Sequence, residues 1–209
     1  MKKTNKKVYD QIANFLYETD MHRKTPRSGL WPLGSGDQSV AEHLFHTAMI
    51  AYALAYLEPR ADKNRMVLMA LFHDIGEGRT SDLNYIHQRY GRLAEIEAVT
   101  DMSKNIPFGK EVLALYQEEQ ARETLEAKLV KDADNLEWIV TLRGEEVKGN
   151  KKAAQWIRQA VKRLKTSPGK KLGKLLIDID PDFWWFNVNK EWFVNRDQKY
   201  KKWDNKKHK

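Results

Sequence analysis

Apolar residues recur at helical spacing along most of this chain, and clean two-residue alternation is nearly absent. Spacings of three and four residues put apolar side chains on one face of a helix, whereas strict alternation indicates a half-buried strand. The sequence therefore predicts an all-α protein built as a compact multi-helix bundle. A chain of 209 residues is most simply one domain, with enough residues to bury a substantial core.

Capping and helix-breaking residues set the predicted bounds of the helices. Ser39 and Glu42 have the spacing of a capping box, and the helix that they start should end near Leu57, before Pro59. Prolines and glycines between Thr25 and Asp37 predict a loop. The other predicted helices are Lys6–Glu18, Lys63–Ile75, Arg92–Ser103, Lys110–Gln117, Arg122–Arg143 and Lys151–Leu164.

The C-terminal part of the chain is basic and rich in aromatic residues. We interpret Leu175–Trp185 as irregular, and a last helix is predicted from about Asn189. Aromatic side chains in this extension are expected to pack onto the core or onto a second subunit. They are Trp184, Trp185, Phe186, Trp192 and Phe193.

The net charge of +8 is concentrated in a few segments. Most of the excess lies among the first seven residues, in residues 148–174 and in the tail from Lys199 to Lys209. Such lysine runs are typical of solvated helix faces, so nucleic-acid binding is not expected. A positive surface would still attract an anionic substrate, including a phosphorylated small molecule.

Two absences in the sequence limit its chemistry and its location. The chain has no cysteine, which excludes disulfides, zinc ribbons, iron–sulfur clusters and thiol nucleophiles. No apolar run approaches the length of a transmembrane helix, and no signal-type apolar segment follows the lysine-rich start. A cytoplasmic protein without a membrane partner is expected.

Two histidines and two aspartates offer the side chains that a divalent metal ion binds. His43 lies early in the capped helix, His73 and Asp74 stand together at the end of the next one, and Asp134 lies on an apolar helix face. A carboxylate on such a face is costly to bury unless it is paired, hydrogen-bonded or bound to a metal. Two imidazoles with two carboxylates suit a borderline divalent ion and leave positions open for water and substrate.

Residues close to these four have less specific interpretations. Glu77, one helical turn beyond the His-Asp doublet, could hold a water molecule or accept its proton. His46 is interpreted as a packed residue or as a partner of a ligand. Asp132 points nearly opposite to Asp134 on the same predicted helix, and we expect it at the surface.

In chain order, these residues resemble the HD superfamily of metal-dependent phosphohydrolases. The resemblance covers about residues 27–146 and implies a single HD domain over residues 1–209 with a C-terminal helical extension. Within the superfamily the chain is most similar to bacterial and archaeal 5'-deoxynucleotidases. The segments that carry this narrower similarity are Trp31-Pro32-Leu33, Ser39-Val40-Ala41-Glu42-His43, His73-Asp74-Ile75-Gly76-Glu77, Ser81-Asp82-Leu83 and Lys131-Asp132-Ala133-Asp134.

The resemblance implies a cofactor and catalytic roles. It implies one divalent metal ion, which could be Mn, Co, Fe, Ni, Zn or Mg. Glu77 would position or activate the attacking water, and Asp82 would complete the catalytic carboxylates near the leaving group. The implied metal ligands are His43, His73, Asp74 and Asp134.

The resemblance also implies substrate contacts. Arg27 would bind the phosphate, because a planar guanidinium matches two phosphate oxygens. In the bacterial enzymes this arginine directly precedes Trp-Pro-Leu, whereas here three residues separate Arg27 from Trp31. Arg23 is therefore an alternative phosphate ligand. Trp31 would border the base or the sugar.

The function implied by the resemblance is that of a homo-oligomeric 5'-nucleotidase, which cleaves (deoxy)ribonucleoside 5'-monophosphates to nucleoside and phosphate. Binuclear members of the superfamily need further histidines between His73 and Asp134, and this chain has only His87 there. Two alternatives stay open. One is a deoxynucleoside triphosphate triphosphohydrolase that uses the same residues. The other is a non-catalytic HD protein that binds nucleotides or nucleic acid.

Overall fold

The computed structural model of the protein describes residues 3–185, with side chains from Lys6 onward, and this range contains ten α-helices and no β-strand. Two 3-10 turns, Asp20–Arg23 and Ser28–Leu30, lie between the first two α-helices. The predicted all-α class is confirmed. The helices are α1 (Lys3–Thr19), α2 (Val40–Leu57), α3 (Lys63–Phe72), α4 (Glu77–Thr80), α5 (Tyr85–Tyr90), α6 (Glu95–Lys104), α7 (Gly109–Ala121), α8 (Leu125–Val147), α9 (Lys151–Val161) and α10 (Ser167–Asp178).

Helix α8 is the centre of the fold. It contacts α2, α3, α7, α9 and α10 and is buried around most of its circumference. The main core lies where these helices meet, and it includes the fully buried Leu54, Met66, Met69, Leu129 and Ile139. Burying side chains of this size stabilises a fold by about 1.5–3 kcal/mol each, so these contacts hold α2 and α3 firmly against α8.

The predicted capping box is present and fixes the start of α2. Ser39 Oγ accepts a hydrogen bond from the Glu42 backbone N–H at 3.2 Å, and the Ser39 backbone N–H donates to Glu42 Oε2 at 2.6 Å. These two bonds satisfy donors that have no partner inside the helix. The first turn of α2 is thereby defined, and with it the direction of the side chains that follow.

Helix bounds differ from the prediction at two positions near the middle of the chain. Helix α3 ends at Phe72, so His73 stands at its C-terminal end and a tight turn leads to α4. Arg122 does not begin a helix, because it adopts the left-handed conformation (φ 54°) that ends α7. Helix α8 begins later, where the Thr124 hydroxyl accepts a hydrogen bond from the backbone N–H of Ala127.

The interpretation of the chain from Leu175 onward as irregular is wrong over its first four residues, because α10 extends to Asp178. The helix contains Pro168, Gly169 and Gly173, and its packing explains all three. Proline is tolerated in the first helical turn. A Cβ at Gly169 would clash with the Asp132 carboxylate, and one at Gly173 would clash with Leu164. The two glycines therefore allow α10 to lie close to its neighbours.

The aromatic C-terminal segment is described only up to Trp185. Trp184 is 76% exposed, so this side chain is not packed on the core. The predicted helix near Asn189, the aromatic residues from Phe186 onward and the lysine-rich tail lie outside the described residues. None of the helices in residues 3–185 has the length and apolar composition needed to cross a membrane.

Candidate metal centre

The structure brings the two predicted histidine ligands together in the interior. His43, on α2, is fully buried, and His73, at the end of α3, is 2% exposed. Their Nε2 atoms lie 3.2 Å apart. Since α2 and α3 pack along one another, residues 30 positions apart in the sequence meet at one point.

Hydrogen bonds fix the orientation and tautomer of both imidazole rings. His43 Nδ1 lies 2.8 Å from Glu137 Oε2, and His73 Nδ1 lies 2.8 Å from the carbonyl oxygen of Ala70. Both partners can only accept, so each Nδ1 carries a proton and the two Nε2 atoms are the ring nitrogens that face each other. Two Nε2 atoms at this distance repel unless a proton or a metal ion lies between them, and the arrangement fits a metal ion.

The two predicted carboxylate ligands border the same point. Asp134 Oδ1 lies 3.4 Å from His43 Nε2, and Asp74 Oδ2 lies 3.5 Å from His43 Nε2 and 3.2 Å from His73 Nε2. Ligand atoms of His43, His73 and Asp134 all lie within 4.8 Å of one another. Separations of this size suit ligands that bind one ion at about 2.0–2.2 Å. In the part of the chain that the structure describes, no second group of this kind occurs.

The electrostatics of the four residues favour a positive charge among them. Burial is the largest single effect on His73 and lowers its pKa, but Asp74, together with the charges of Asp134 and Glu119, outweighs it and raises the pKa to about 9. Burial raises the pKa of Asp74, yet His73 and His43 hold it well below its usual range. The carboxylates are therefore ionised and attract positive charge, which either a proton on the imidazoles or a divalent ion supplies.

Glu77 lies beside this group without a hydrogen-bond partner. It is 8% exposed, and its Oε2 is buried and accepts no hydrogen bond within residues 3–185. Burial raises its pKa to about 11, and the nearby charges of Asp74 and Asp82 act in the same direction. A buried carboxyl group with an orphaned oxygen is costly for the fold, and it is typical of functional sites.

Arg27 and Asp82 form the next contacts around the four residues. The Arg27 Nη1 atom lies 3.3 Å from Asp74 Oδ2 and 3.8 Å from Asp82 Oδ2. Asp82 Oδ2 also accepts a hydrogen bond from the Ser28 backbone N–H at 2.9 Å, while Ser28 Oγ donates to the Asp82 carbonyl at 2.8 Å. The loop that carries Arg27 is thus anchored to Asp82, and the extra residues before Trp31 do not move Arg27 away.

Other residues named from the sequence lie farther out. Arg23 is 76% exposed and pairs with Asp20, so the structure does not bring it to the site. Trp31 is 60% exposed, its ring meets His87 edge-on at 6.0 Å, and it is not among the residues that line the cavity described below. His46 Nδ1 lies 3.6 Å from Glu137 Oε1, a position that fits a partner of a ligand.

Glu137 is the functional candidate that the sequence reasoning missed. It is fully buried on α8, and besides His43 it accepts hydrogen bonds from Gln38 Nε2 at 2.7 Å and Thr141 Oγ1 at 3.0 Å. Burial raises its pKa, but hydrogen bonds from His43, His46 and Gln38 outweigh this effect and hold the pKa well below the usual range. A glutamate three residues after a candidate aspartate ligand is a sequence signal for such a carboxylate, although a weak one.

The expectation that Asp132 lies at the surface is wrong. Asp132 is 1% exposed, and its carboxylate accepts hydrogen bonds from the backbone N–H groups of Lys165 and Thr166 at 2.8 Å and 2.7 Å. The Thr166 hydroxyl donates to it as well, at 2.6 Å. Asp132 faces away from Asp134, as the helical spacing predicts, but α10 and its preceding turn cover that face.

A cavity of about 1000 Å³ opens from the metal centre toward the surface. Such a volume is at the upper end of the range for small-molecule pockets. Polar residues that sequence reasoning did not single out include Asn84, Gln88, Glu95, Gln120 and Asn135. The predicted site residues that line the cavity are Arg27, Asp74, Glu77, Asp82 and Asp134.

Comparison with known proteins gives a family for most of the chain. Residues 19–176 match the model of the HD domain family. Among curated relatives, the 5'-deoxynucleotidase HDDC2 of Homo sapiens is 27% identical over 135 residues, which cover 62% of this chain and 65% of that protein. The 5'-deoxynucleotidase YfbR of Escherichia coli is 32% identical over 124 residues, which cover 51% of this chain and 61% of that protein. The chain thus spans about two thirds of the length of these relatives.

Solved structures are similar over a larger part of the chain. A conserved hypothetical protein from Pyrococcus furiosus is 27% identical, with a TM-score of 0.66, and the match covers 79% of this chain and 97% of that one. A predicted metal-dependent phosphohydrolase from Magnetospirillum magnetotacticum has a TM-score of 0.67 with 23% identity, covering 85% and 95% of the two chains. The second similarity concerns the fold alone.

Proposed function

The chain belongs to the HD domain family, and we propose that it is a metal-dependent 5'-nucleotidase that releases phosphate from (deoxy)ribonucleoside 5'-monophosphates. The observation that carries this proposal is the pair of facing Nε2 atoms of His43 and His73, bordered by two partly buried carboxylates. The printed names of the curated relatives, 5'-deoxynucleotidases, support the choice of substrate class.

We assign the metal to His43, His73, Asp74 and Asp134. A divalent ion bound by these four residues would supply positive charge to a phosphoryl oxygen and would acidify water. Two nitrogen and two oxygen ligands accept Mn, Co, Fe, Ni or Zn, and Mg is a further candidate. The identity of the ion is left to experiment.

The remaining residues have roles that follow from their chemistry. Glu77 would accept the proton of the attacking water: a bound divalent ion would favour its ionised form, and burial makes that carboxylate a strong base. Arg27 binds the phosphate through its planar guanidinium. Asp82 holds the Arg27 loop through Ser28 and lies on the cavity wall near the leaving group. Phosphoryl transfer needs mainly such positioning and charge neutralisation, so no covalent nucleophile is required.

The non-catalytic alternative has less support. It rests on the basic charge of the chain. A scaffold that only binds nucleotides would not need Glu77 to stay buried without a partner beside the metal ligands, because that arrangement costs stability.

We also propose that the protein self-associates through α2. This helix is apolar on nearly all sides, a composition that is typical of helices buried all round. Its outward face nevertheless exposes four large side chains at helical spacing: Phe45, Met49, Tyr52 and Tyr56. A second copy of the chain that covers this face would complete the burial.

A panel of nucleotides and metal ions tests the enzymatic proposal. Phosphate release is measured for ribo- and deoxyribonucleoside 5'-monophosphates and for deoxynucleoside triphosphates, each with Mn, Co, Mg, Zn or EDTA. We expect release of phosphate from monophosphates with at least one metal ion and none with EDTA. Release of triphosphate instead would establish the triphosphohydrolase alternative, and no release under any condition would refute both.

A further inference from the structure

Besides the candidate metal centre, the cavity lining has a second region, which is strongly basic. Its members come from the end of α7, from α8 and from the segment after α9, and we call them the cationic rim. They are Arg122, Lys128, Lys131, Lys162, Arg163 and Lys165. None of them was singled out by sequence reasoning, because they are spread over 44 positions of a generally lysine-rich chain.

Most charges of the cationic rim lack an acidic partner. Lys131 pairs with Asp134 at 2.6 Å, and it is the one member with a carboxylate within 4.0 Å among residues 3–185. Arg163 contacts the hydroxyl and the ring of Tyr85, and neither group has a negative charge that would compensate the guanidinium. Cations gathered around one cavity repel one another, and a bound anion relieves that repulsion.

The backbone holds the cationic rim in place. The buried carboxylate of Asp132 accepts the backbone N–H of Lys165 and caps the turn between α9 and α10. On α8, Lys128 and Lys131 lie on the same face as Asp134 at intervals of three residues, since residues three apart are neighbours on a helix. With a rise of 1.5 Å per residue, Lys128 is about 9 Å from Asp134 along the helix axis.

We propose that the cationic rim is a second anion subsite, which binds a phosphate group of the substrate other than the one that is cleaved. A nucleoside 5'-phosphate that has a second phosphate is then cleaved more efficiently than the plain monophosphate at the same metal centre. A separation of about 9 Å along α8 exceeds the reach of a single phosphate group held at the metal centre. The proposal rests on the proposed function, because it assigns the cleaved phosphate to the metal centre.

The second phosphate has two possible sources, which can be distinguished with substrates that share the same base, adenine. One is a phosphate on the sugar, represented by adenosine 3',5'-bisphosphate, and the other is a polyphosphate chain, represented by ATP. AMP is the reference. The quantity of interest is kcat/KM for each multiply phosphorylated nucleotide divided by kcat/KM for AMP, measured on the full chain with the metal that the panel identifies.

The test variant is K128Q/K165Q, and K170Q/K174Q on α10 removes the same charge at exposed positions away from the cavity. Exposed charge contacts contribute up to about 1 kcal/mol each, so we expect the ratio for the bisphosphate or for ATP to fall about tenfold in the test variant. In the control variant the ratio should stay within about twofold of the wild type.

An equal ratio in all three proteins would overturn the proposal, whichever source is considered. Binding of 5'-phosphorylated single-stranded DNA to the cationic rim, with an affinity that rises with strand length, would also overturn the proposal. The cationic rim would then be a nucleic-acid contact. Calorimetric titration of AMP and the bisphosphate in EDTA gives a separate ratio, that of their dissociation constants, which should also fall in the test variant and not in the control. The titration stays informative if no hydrolysis is found. A failure of the second anion subsite can therefore be distinguished from a failure of the proposed function.

Discussion

At the scale of single residues, the candidate site depends on partly or fully buried carboxylates that have different roles. Asp74 and Asp134 face the imidazoles, Glu137 orients one of them, and Glu77 has an oxygen without a partner. Residue types and helical positions predicted the candidate metal ligands, and the structure brings their side chains together. The sequence did not reveal Glu137, since a buried hydrogen-bonded glutamate and an exposed one look alike in a single sequence.

Glu137 is expected to act as a positioning residue for His43. Replacing it by glutamine (Glu137→Gln) keeps its size but removes the charge that holds the Nδ1 proton. Partners of this kind typically contribute 10–100-fold to metal affinity, so we expect the dissociation constant of the metal to rise by about that factor. Metal titration by calorimetry measures it, with Glu146→Gln on the same helix as the control. Unchanged metal affinity in Glu137→Gln would show that Glu137 is only a packed residue.

Replacing Glu77 should reduce catalysis without reducing metal binding or stability. We expect Glu77→Gln to bind metal normally but to lose about 100-fold or more in phosphate release, because an amide cannot accept the proton.

The same variant has a predicted effect on stability: in EDTA, Glu77→Gln should be more stable than the wild type at pH 8. The folded-state pKa of Glu77 is raised from 4.5 to about 11, so the folded protein binds the extra proton and wild-type stability falls as pH rises above about 4.5. Denaturant unfolding at pH 5 and pH 8 tests the sign. A wild type that gains stability relative to the variant as pH rises would contradict it.

At the scale of secondary-structure elements, capping residues were the most reliable guide. The capping box of Ser39 and Glu42 was predicted and is formed. Helix α10 was missed because its proline and glycines are helix breakers in an isolated segment, and only the packing against α8 and Leu164 explains them. Asp132 was expected at the surface because it points nearly opposite to Asp134, but α10 and its preceding turn cover that face.

Asp132 is predicted to be a strong structural contact between α8 and the turn before α10. Asp132→Ala leaves three donors from Lys165 and Thr166 without their acceptor. Because each unsatisfied, partly buried donor costs about 1–3 kcal/mol, we expect a loss of about 3 kcal/mol in the free energy of unfolding. Urea denaturation measures this loss, and Glu123→Ala at an exposed position should stay within about 0.5 kcal/mol of the wild type. A loss below 1 kcal/mol would show that the turn is held by other contacts.

At the scale of the whole molecule, one bundle supports the metal centre, the cavity and an apolar outer face. The all-α class and the position of the site on α2, α3 and α8 followed from periodicity and from the spacing of histidines and aspartates. The cavity and its cationic rim did not, because they depend on how α7, α8 and the segment after α9 come together. Local sequence patterns contain no information about such distant neighbours.

The apolar face of α2 predicts how the molecule assembles. We expect the wild type to have at least twice the mass of one chain in light scattering. The variant F45E/M49E should shift to a single chain, because two carboxylates cannot be buried in an apolar interface at low cost. Tyr17→Glu changes an exposed aromatic residue on α1 and should leave the mass unchanged. A monomeric wild type would refute self-association through this face.

The metal content of the purified protein tests the central claim most directly. Elemental analysis by mass spectrometry is applied to the wild type and to Asp134→Asn after saturation with the activating metal and removal of the excess. The account predicts one ion per chain in the wild type and a loss of most of it in the variant, together with the loss of phosphate release. A variant that keeps a full equivalent of metal, or a wild type that binds none, would contradict the assignment of this site.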